Sequence, residues 1–207
     1  MLNKIKNKNI LIKTYLAESG LFYLAKSLGD ILSEDNNVTY ISKAKYKQGE
    51  LASTFRRYYP EPYDDKLLDG LKHITLSDKA SVGNQILNIV KSNNIDVIIS
   101  FETFMRKGQW VSKVKRGSKV KVFDVPMPEW TEDRFISNNS YSMFNEIWCL
   151  TDTAYSIFSK YRTRKKMSWD YVDRGVFFPS LDKNNIKNLT FYHPGPVNPG
   201  FSQKNTT

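Results

Sequence analysis

Asp96-Val97-Ile98-Ile99-Ser100 sets three branched apolar residues side by side between an acidic residue and a polar stop. A strand with one wet face alternates apolar and polar side chains, whereas a strand covered on both faces has no reason to alternate. Ile147-Trp148-Cys149-Leu150 is a second run of the same kind. Both segments therefore belong in a parallel sheet held between layers of helices.

The flanking sequence supplies those helices in alternation. Asn9 to Tyr15 reads as a first strand. Glu18-Ser19-Gly20 then opens a helix to about Ser33, with Leu21, Leu24, Leu28 and Leu32 at spacings of three or four. Asn37 to Ser42 reads as the second strand and His73 to Leu76 as the third. Ser81 to Asn93 is helical, with Val82, Ile86, Ile89 and Val90 on one stripe. After the Asp96–Ser100 strand come a helix from Arg106 to Lys115, a fifth strand from Lys119 to Val125, and a sixth from Glu146 to Leu150. Thr151 is placed to cap a last helix whose apolar face is Ala154, Ile157, Phe158 and Tyr161. Strands alternating with helices predict an α/β chain: a Rossmann-like, doubly wound, mostly parallel sheet.

Composition agrees with a folded core: 207 residues, 40% hydrophobic and 14% aromatic. No stretch approaches the roughly 18 apolar residues that a membrane span needs. Met1 to Lys8 is basic but lacks the apolar stretch of a secretory signal, so a cytoplasmic location is expected. The single cysteine, Cys149, excludes an internal disulfide and reads as structural, inside a buried strand. No His/Cys/carboxylate spacing suggests a metal, and no Gly-x-Ser-x-Gly elbow is present, so neither metal nor cofactor is expected. His73 opens a strand, where packing is its expected role, and His193 ends the last apolar run.

The net charge of +10 admits an anionic partner. Its densest segment, Tyr161-Arg162-Thr163-Arg164-Lys165-Lys166-Met167-Ser168-Trp169, reads first as a solvated helix end, where cations suit the helix dipole. Nucleic acid, or another anionic partner of a basic α/β binding module, is the competing reading. A DNA-recognition helix and a base-stacking platform are both missing from the sequence, which does not favour nucleic acid.

Ligands of doubly wound sheets sit at the carboxyl ends of the strands. The segments expected there are Ala17-Glu18-Ser19-Gly20, Phe101-Glu102-Thr103-Phe104 and Val125-Pro126-Met127-Pro128-Glu129-Trp130. Gly20 allows close backbone approach, and a helix start offers free amides to an anion. Glu102 can accept hydrogen bonds from hydroxyl groups, and Glu129 beside Trp130 sets a carboxylate next to a flat apolar face, as a sugar requires. Arg56-Arg57-Tyr58-Tyr59-Pro60-Glu61-Pro62-Tyr63 is an aromatic, basic loop that could line a groove. Leu189-Thr190-Phe191-Tyr192-His193 followed by Pro194-Gly195-Pro196, Pro199-Gly200 and Lys204-Asn205-Thr206-Thr207 reads as the opening of another strand–loop–helix unit.

Taken in order, the Glu18-Ser19-Gly20 helix start, the Phe101 to Phe104 and Val125 to Trp130 segments, Glu146 to Thr151, and the closing Phe191 to Thr206 segment resemble GT-B glycosyltransferases of the group 1 (family 4) type. The resemblance runs from about Asn9 to Thr207. It implies an N-terminal, acceptor-side Rossmann-like domain over residues 1–180, and a linker with the first strand and loop of a C-terminal, nucleotide-sugar domain over 181–207. By resemblance, Glu102, Met127, Glu129 and Trp130 border a sugar-containing acceptor. Glu18, Ser19, Gly20, Gly200 and Lys204 lie toward the phosphates of a nucleotide-sugar donor. Gln203 stands where the family has a basic residue, and the family's late paired glutamates have no counterpart. The expected protein is thus the N-terminal half of a hexosyltransferase, folded but inactive alone. A separately encoded C-terminal domain is an expected partner, and a membrane surface a further one.

Overall fold

The computed structural model describes residues 5–14, 20–43, 70–77, 79–101, 108–127 and 133–167. Seven strands form one sheet: β1 Asn9–Lys13, β2 Asn37–Lys43, β3 His73–Leu76, β4 Val97–Phe101, β5 Lys121–Val125, β6 Glu146–Cys149 and β7 Arg164–Lys166. Their order is β3-β2-β1-β4-β5-β6-β7. The expected doubly wound architecture is present, and every pairing among the described strands is parallel.

Among the described residues five helices lie between strands: α1 Gly20–Ser33, α2 Val82–Ser92, α3 Gln109–Gly117, α4 Asp133–Ser137 and α5 Asp152–Ile157. A 3₁₀ turn spans Ser140–Met143. On one face α1 lays Ala25, Leu28 and Leu32 against Ile10, Ile12, Val97, Ile99 and Phe101. On the other, α2, α3, the 3₁₀ turn and α5 bring Ile86, Val111, Val114, Tyr141 and Phe158 onto Leu11, Ile98, Val122 and Ile147. Each central strand is thus covered twice, which is why β4 is buried at all five positions and does not alternate.

Cys149 fits its expected role. It is fully buried, and burial pushes its thiol up to about 11, with Asp124 adding to the rise and Arg164 opposing it. Thr151 caps α5 as expected, its Oγ1 accepting from the Ala154 amide at 3.0 Å.

Two expectations fail nearby. Ile157 does not share the buried face but is 39% exposed, because α5 ends there and Phe158 and Tyr161 reach the core from the following turn. The basic segment is not a helix end either, since Arg164–Lys166 forms β7. Three of its cations, Arg164, Lys165 and Lys166, are engaged within the fold. Lys165 pairs with Glu146, and Lys166 lies 2.5 Å from Asp152. The Arg164 guanidinium sits 4.5 Å from the centre of the Tyr155 ring and donates to the carbonyls of Ser159 and Tyr161.

Candidate functional site

The strand order reverses between β1 and β4, with β2 and β3 on one side and β5 to β7 on the other. In an open parallel sheet, the crevice for a ligand opens at that switch, beyond the carboxyl ends of the strands. Polar side chains gather there on both faces.

On the α1 face Thr14 follows β1 and Ser42 is the last but one residue of β2, while His73, the first residue of β3 and register partner of Tyr40, reaches Ser42 from the adjacent strand. The Thr14 amide donates to the Ile41 carbonyl at 3.2 Å, continuing the β1–β2 ladder one residue past β1. Thr14 is 3% exposed, and among the described residues its Oγ1 has no hydrogen-bond partner. Ser42 is buried, and its Oγ lies 3.1 Å from the Nε2 of His73 on β3.

On the opposite face Lys13, Ser100 and Asp124 lie in register across β1, β4 and β5. Parallel register partners share a sheet face. Ser100 and Asp124 are fully buried, and the Lys13 ammonium stands 5.7 Å from the centre of the Trp110 ring. The row continues through Ile147 to Arg164 on β7. Cys149 stands two residues beyond Ile147 on β6, close enough for the charges of Asp124 and Arg164 to act on its thiol.

Of the residues expected from sequence to form a site, Gly20 opens α1 after β1, and Met127 is half-buried two residues beyond the end of β5. Both are therefore at the carboxyl edge. Glu18, Ser19, Glu102, Glu129, Trp130, Gly200 and Lys204 lie outside the described residues, as do the Arg56 to Tyr63 loop, His193 and the whole of 181–207. Thr14, the Ser42–His73 pair and the Lys13–Ser100–Asp124 row were not anticipated as site residues. Their signal is a polar residue that follows an apolar run one position before the strand ends, as in Val97-Ile98-Ile99-Ser100 and Val122-Phe123-Asp124.

Among the described residues, no group of three or more His, Cys, Asp or Glu could hold a metal ion, and no helix is long and apolar enough to cross a membrane. A second concavity, of about 640 Å³, lies at the opposite, amino edge of the sheet and includes Lys8, Lys91, Lys119 and Lys121. Lys91 is in the last turn of α2, and Lys119 follows the end of α3, where cations offset the carboxyl ends of helix dipoles. Lys8 lies 3.9 Å from Asp96.

Burial lowers the pKa of His73. The folded state therefore holds the neutral imidazole more firmly than the unfolded chain does, and stability is full above the ordinary histidine value near 6.5. It is lost as pH falls through the folded-state value. The urea midpoint should drop between pH 7.5 and pH 5 by less in a His73→Asn variant than in the parent. Equal drops would refute the assignment.

No family model matches the chain, and no curated protein matches it. Among solved structures it is similar to a provisionally named UDP-N-acetylglucosamine 2-epimerase from Listeria monocytogenes, at 9% identity and a TM-score of 0.45. That match covers 75% of this chain and 43% of the Listeria protein, so the chain spans less than half of its length. A protein of unknown function from Vibrio parahaemolyticus is similar at 12% identity and a TM-score of 0.39, over 70% of this chain and 94% of that one. A short-chain dehydrogenase/reductase from Veillonella parvula, solved with NADP, follows at 12% identity and 0.37, over 70% and 69%. The Rossmann-like fold stands on the strand order and register of this chain itself.

Proposed function

We propose that this chain is the acceptor-side domain of a glycosyltransferase that moves a sugar from a nucleotide-activated donor to a hydroxylated acceptor. The observation that carries the reading is the concentration of hydroxyl, carboxylate and ammonium groups at the carboxyl edge on both sides of the β1/β4 switch. Sequence segments that resemble the group 1 GT-B enzymes lead into and out of that edge. In this reading Glu102, Met127, Glu129 and Trp130 border the acceptor: the carboxylates take hydrogen bonds from its hydroxyls, and the indole covers its apolar face. Glu18, Ser19 and Gly20 present the start of α1 to the donor phosphates. Gly200 and Lys204 lie against the leaving diphosphate, whose growing negative charge is the main electrostatic demand of the step. A nucleotide-sugar domain supplied by another chain is the proposed partner, and a membrane surface is a further one.

The competing nucleic-acid reading leans on the charge of +10. The densest basic segment, however, spends Arg164, Lys165 and Lys166 on Glu146, Asp152, Tyr155 and backbone carbonyls. Ligand-observed NMR on the 207-residue chain separates the two. A panel of methyl glycosides and disaccharides should include at least one saturable binder, weakened roughly tenfold in Glu102→Gln through loss of charge-assisted bonds. Absence of any saccharide binding, together with DNA binding that falls steeply with salt, would overturn the proposal.

A further inference from the structure

On the sheet face opposite α1, two helix starts meet at the carboxyl edge. Both α2 and α3 run antiparallel to the strands they connect, so both begin at that edge. Gly83, in the first turn of α2, allows the close contact between them. A Cβ at that position would come within 3.3 Å of the Trp110 Cα and 3.1 Å of the Lys113 Cβ. The N-cap residues Ser81 and Gly108 make no side-chain cap, and Gln85 of α2 folds back onto the backbone of Ser77 and Ala80 rather than onto the amides of its own helix start. Two helix starts side by side add their amides and their positive dipole ends.

A second observation is independent of the helices. Trp110, in the first turn of α3, is 6% exposed, and its indole Nε1 is buried without a hydrogen-bond partner among the described residues. An indole N–H can only donate, so what it lacks is an acceptor. The Lys13 ammonium stands over the same ring at 5.7 Å. Lys13 and the Trp110 ring thus lie beside the start of α3, which Gly83 holds close to the start of α2. Asp124, two strands from Lys13 on the same face with Ser100 between, is the buried acid that would oppose an anion.

We propose that the paired starts of α2 and α3, the Trp110 indole N–H and the Lys13 ammonium form an anion-binding site for a phosphate or carboxylate group. The site does not depend on the sugar-transfer reading. It lies after β3 and β4, away from the α1 start expected to face donor phosphates.

The test follows the indole N–H signals of the 207-residue chain, which has four tryptophans, by two-dimensional NMR. A Trp110→Phe variant identifies the Trp110 signal by its disappearance. Inorganic phosphate, and acetate in a parallel titration, are added against chloride at matched ionic strength. The Trp110 signal should shift saturably with one or both anions, and the stronger of the two names the group. Binding should weaken roughly tenfold in Lys13→Met and persist in Lys13→Arg. Asp124→Asn should tighten it. The Trp148 signal reports that each variant is folded, and Lys13→Arg keeps the test valid should Lys13→Met unfold. A Trp110 signal that does not move, moves without saturation, moves equally with chloride, or moves alike in the parent and Lys13→Met would overturn the proposal.

Discussion

Trp148→Ala should destabilise the protein by about 3–5 kcal/mol, the cost of emptying a large aromatic site in a core. Trp148 is 1% exposed on β6 and packs tilted against Phe123 of β5 at 5.1 Å between ring centres, so its loss opens a cavity on the α1 face of the sheet. The indole also donates to Glu146 Oε2 at 2.7 Å, and Glu146 Oε1 pairs with Lys165 of β7. One side chain thereby ties β5, β6 and β7 together. Domains of this kind have about 5–15 kcal/mol of total stability, so the alanine variant should be marginal, with Tm lowered by roughly 6–20 °C. Trp148→Phe keeps the ring packing and loses the hydrogen bond. Glu146 still has Lys165, and with 22% of its side chain exposed it can reach water, so the cost should be about 1–2 kcal/mol. Urea denaturation followed by circular dichroism measures both. Equal losses for the two variants would show that the hydrogen bond, not the packing, carries the effect.

The same corner of the sheet marks the limit of what the sequence told. The strands β1 to β6 were legible because their apolar runs end in turns or polar stops, and periodicity exposed α1 and α2. Strand β7 was not, because Arg164-Lys165-Lys166 has no apolar content of its own. It is a strand because its backbone pairs with β6 and its side chains find Glu146, Asp152 and Tyr155, all distant in sequence. Local propensity cannot report such pairing. Ile157 failed for a related reason: a helical wheel drawn over Ala154 to Tyr161 assumes a helix longer than the six residues of α5. At the candidate site, sequence located the edge but missed the rows. Lys13, Ser100 and Asp124 become neighbours only through register across three strands, and no local pattern joins them.

Gly29→Ala tests packing against propensity with opposite signs in two backgrounds. In the middle of α1, alanine should favour the helix by about 1 kcal/mol over glycine. Here a Cβ would stand 1.8 Å from the Tyr40 Oη, 2.7 Å from its Cζ and 3.1 Å from the Ile12 Cδ1. Tyr40 is 3% exposed between α1 and β2, with its hydroxyl 3.4 Å from the Lys26 carbonyl, so the ring cannot swing clear without losing its place in the core. Burial, with the Asp30 charge adding to it, raises the phenol pKa far above its ordinary value, so the group in contact stays a neutral hydroxyl at working pH. Overpacking should therefore win, and Gly29→Ala should destabilise by about 1–3 kcal/mol. Tyr40→Leu removes both the Oη and the Cζ. In that background the same Gly29→Ala change should be neutral or stabilising, giving a coupling energy of about 2 kcal/mol between the two sites. Additive effects in the double-mutant cycle, or a stabilising Gly29→Ala in the parent, would mean that α1 can lift from β2 at little cost and that its seat on the sheet is set by Leu28 and Leu32 rather than by the close approach at Gly29.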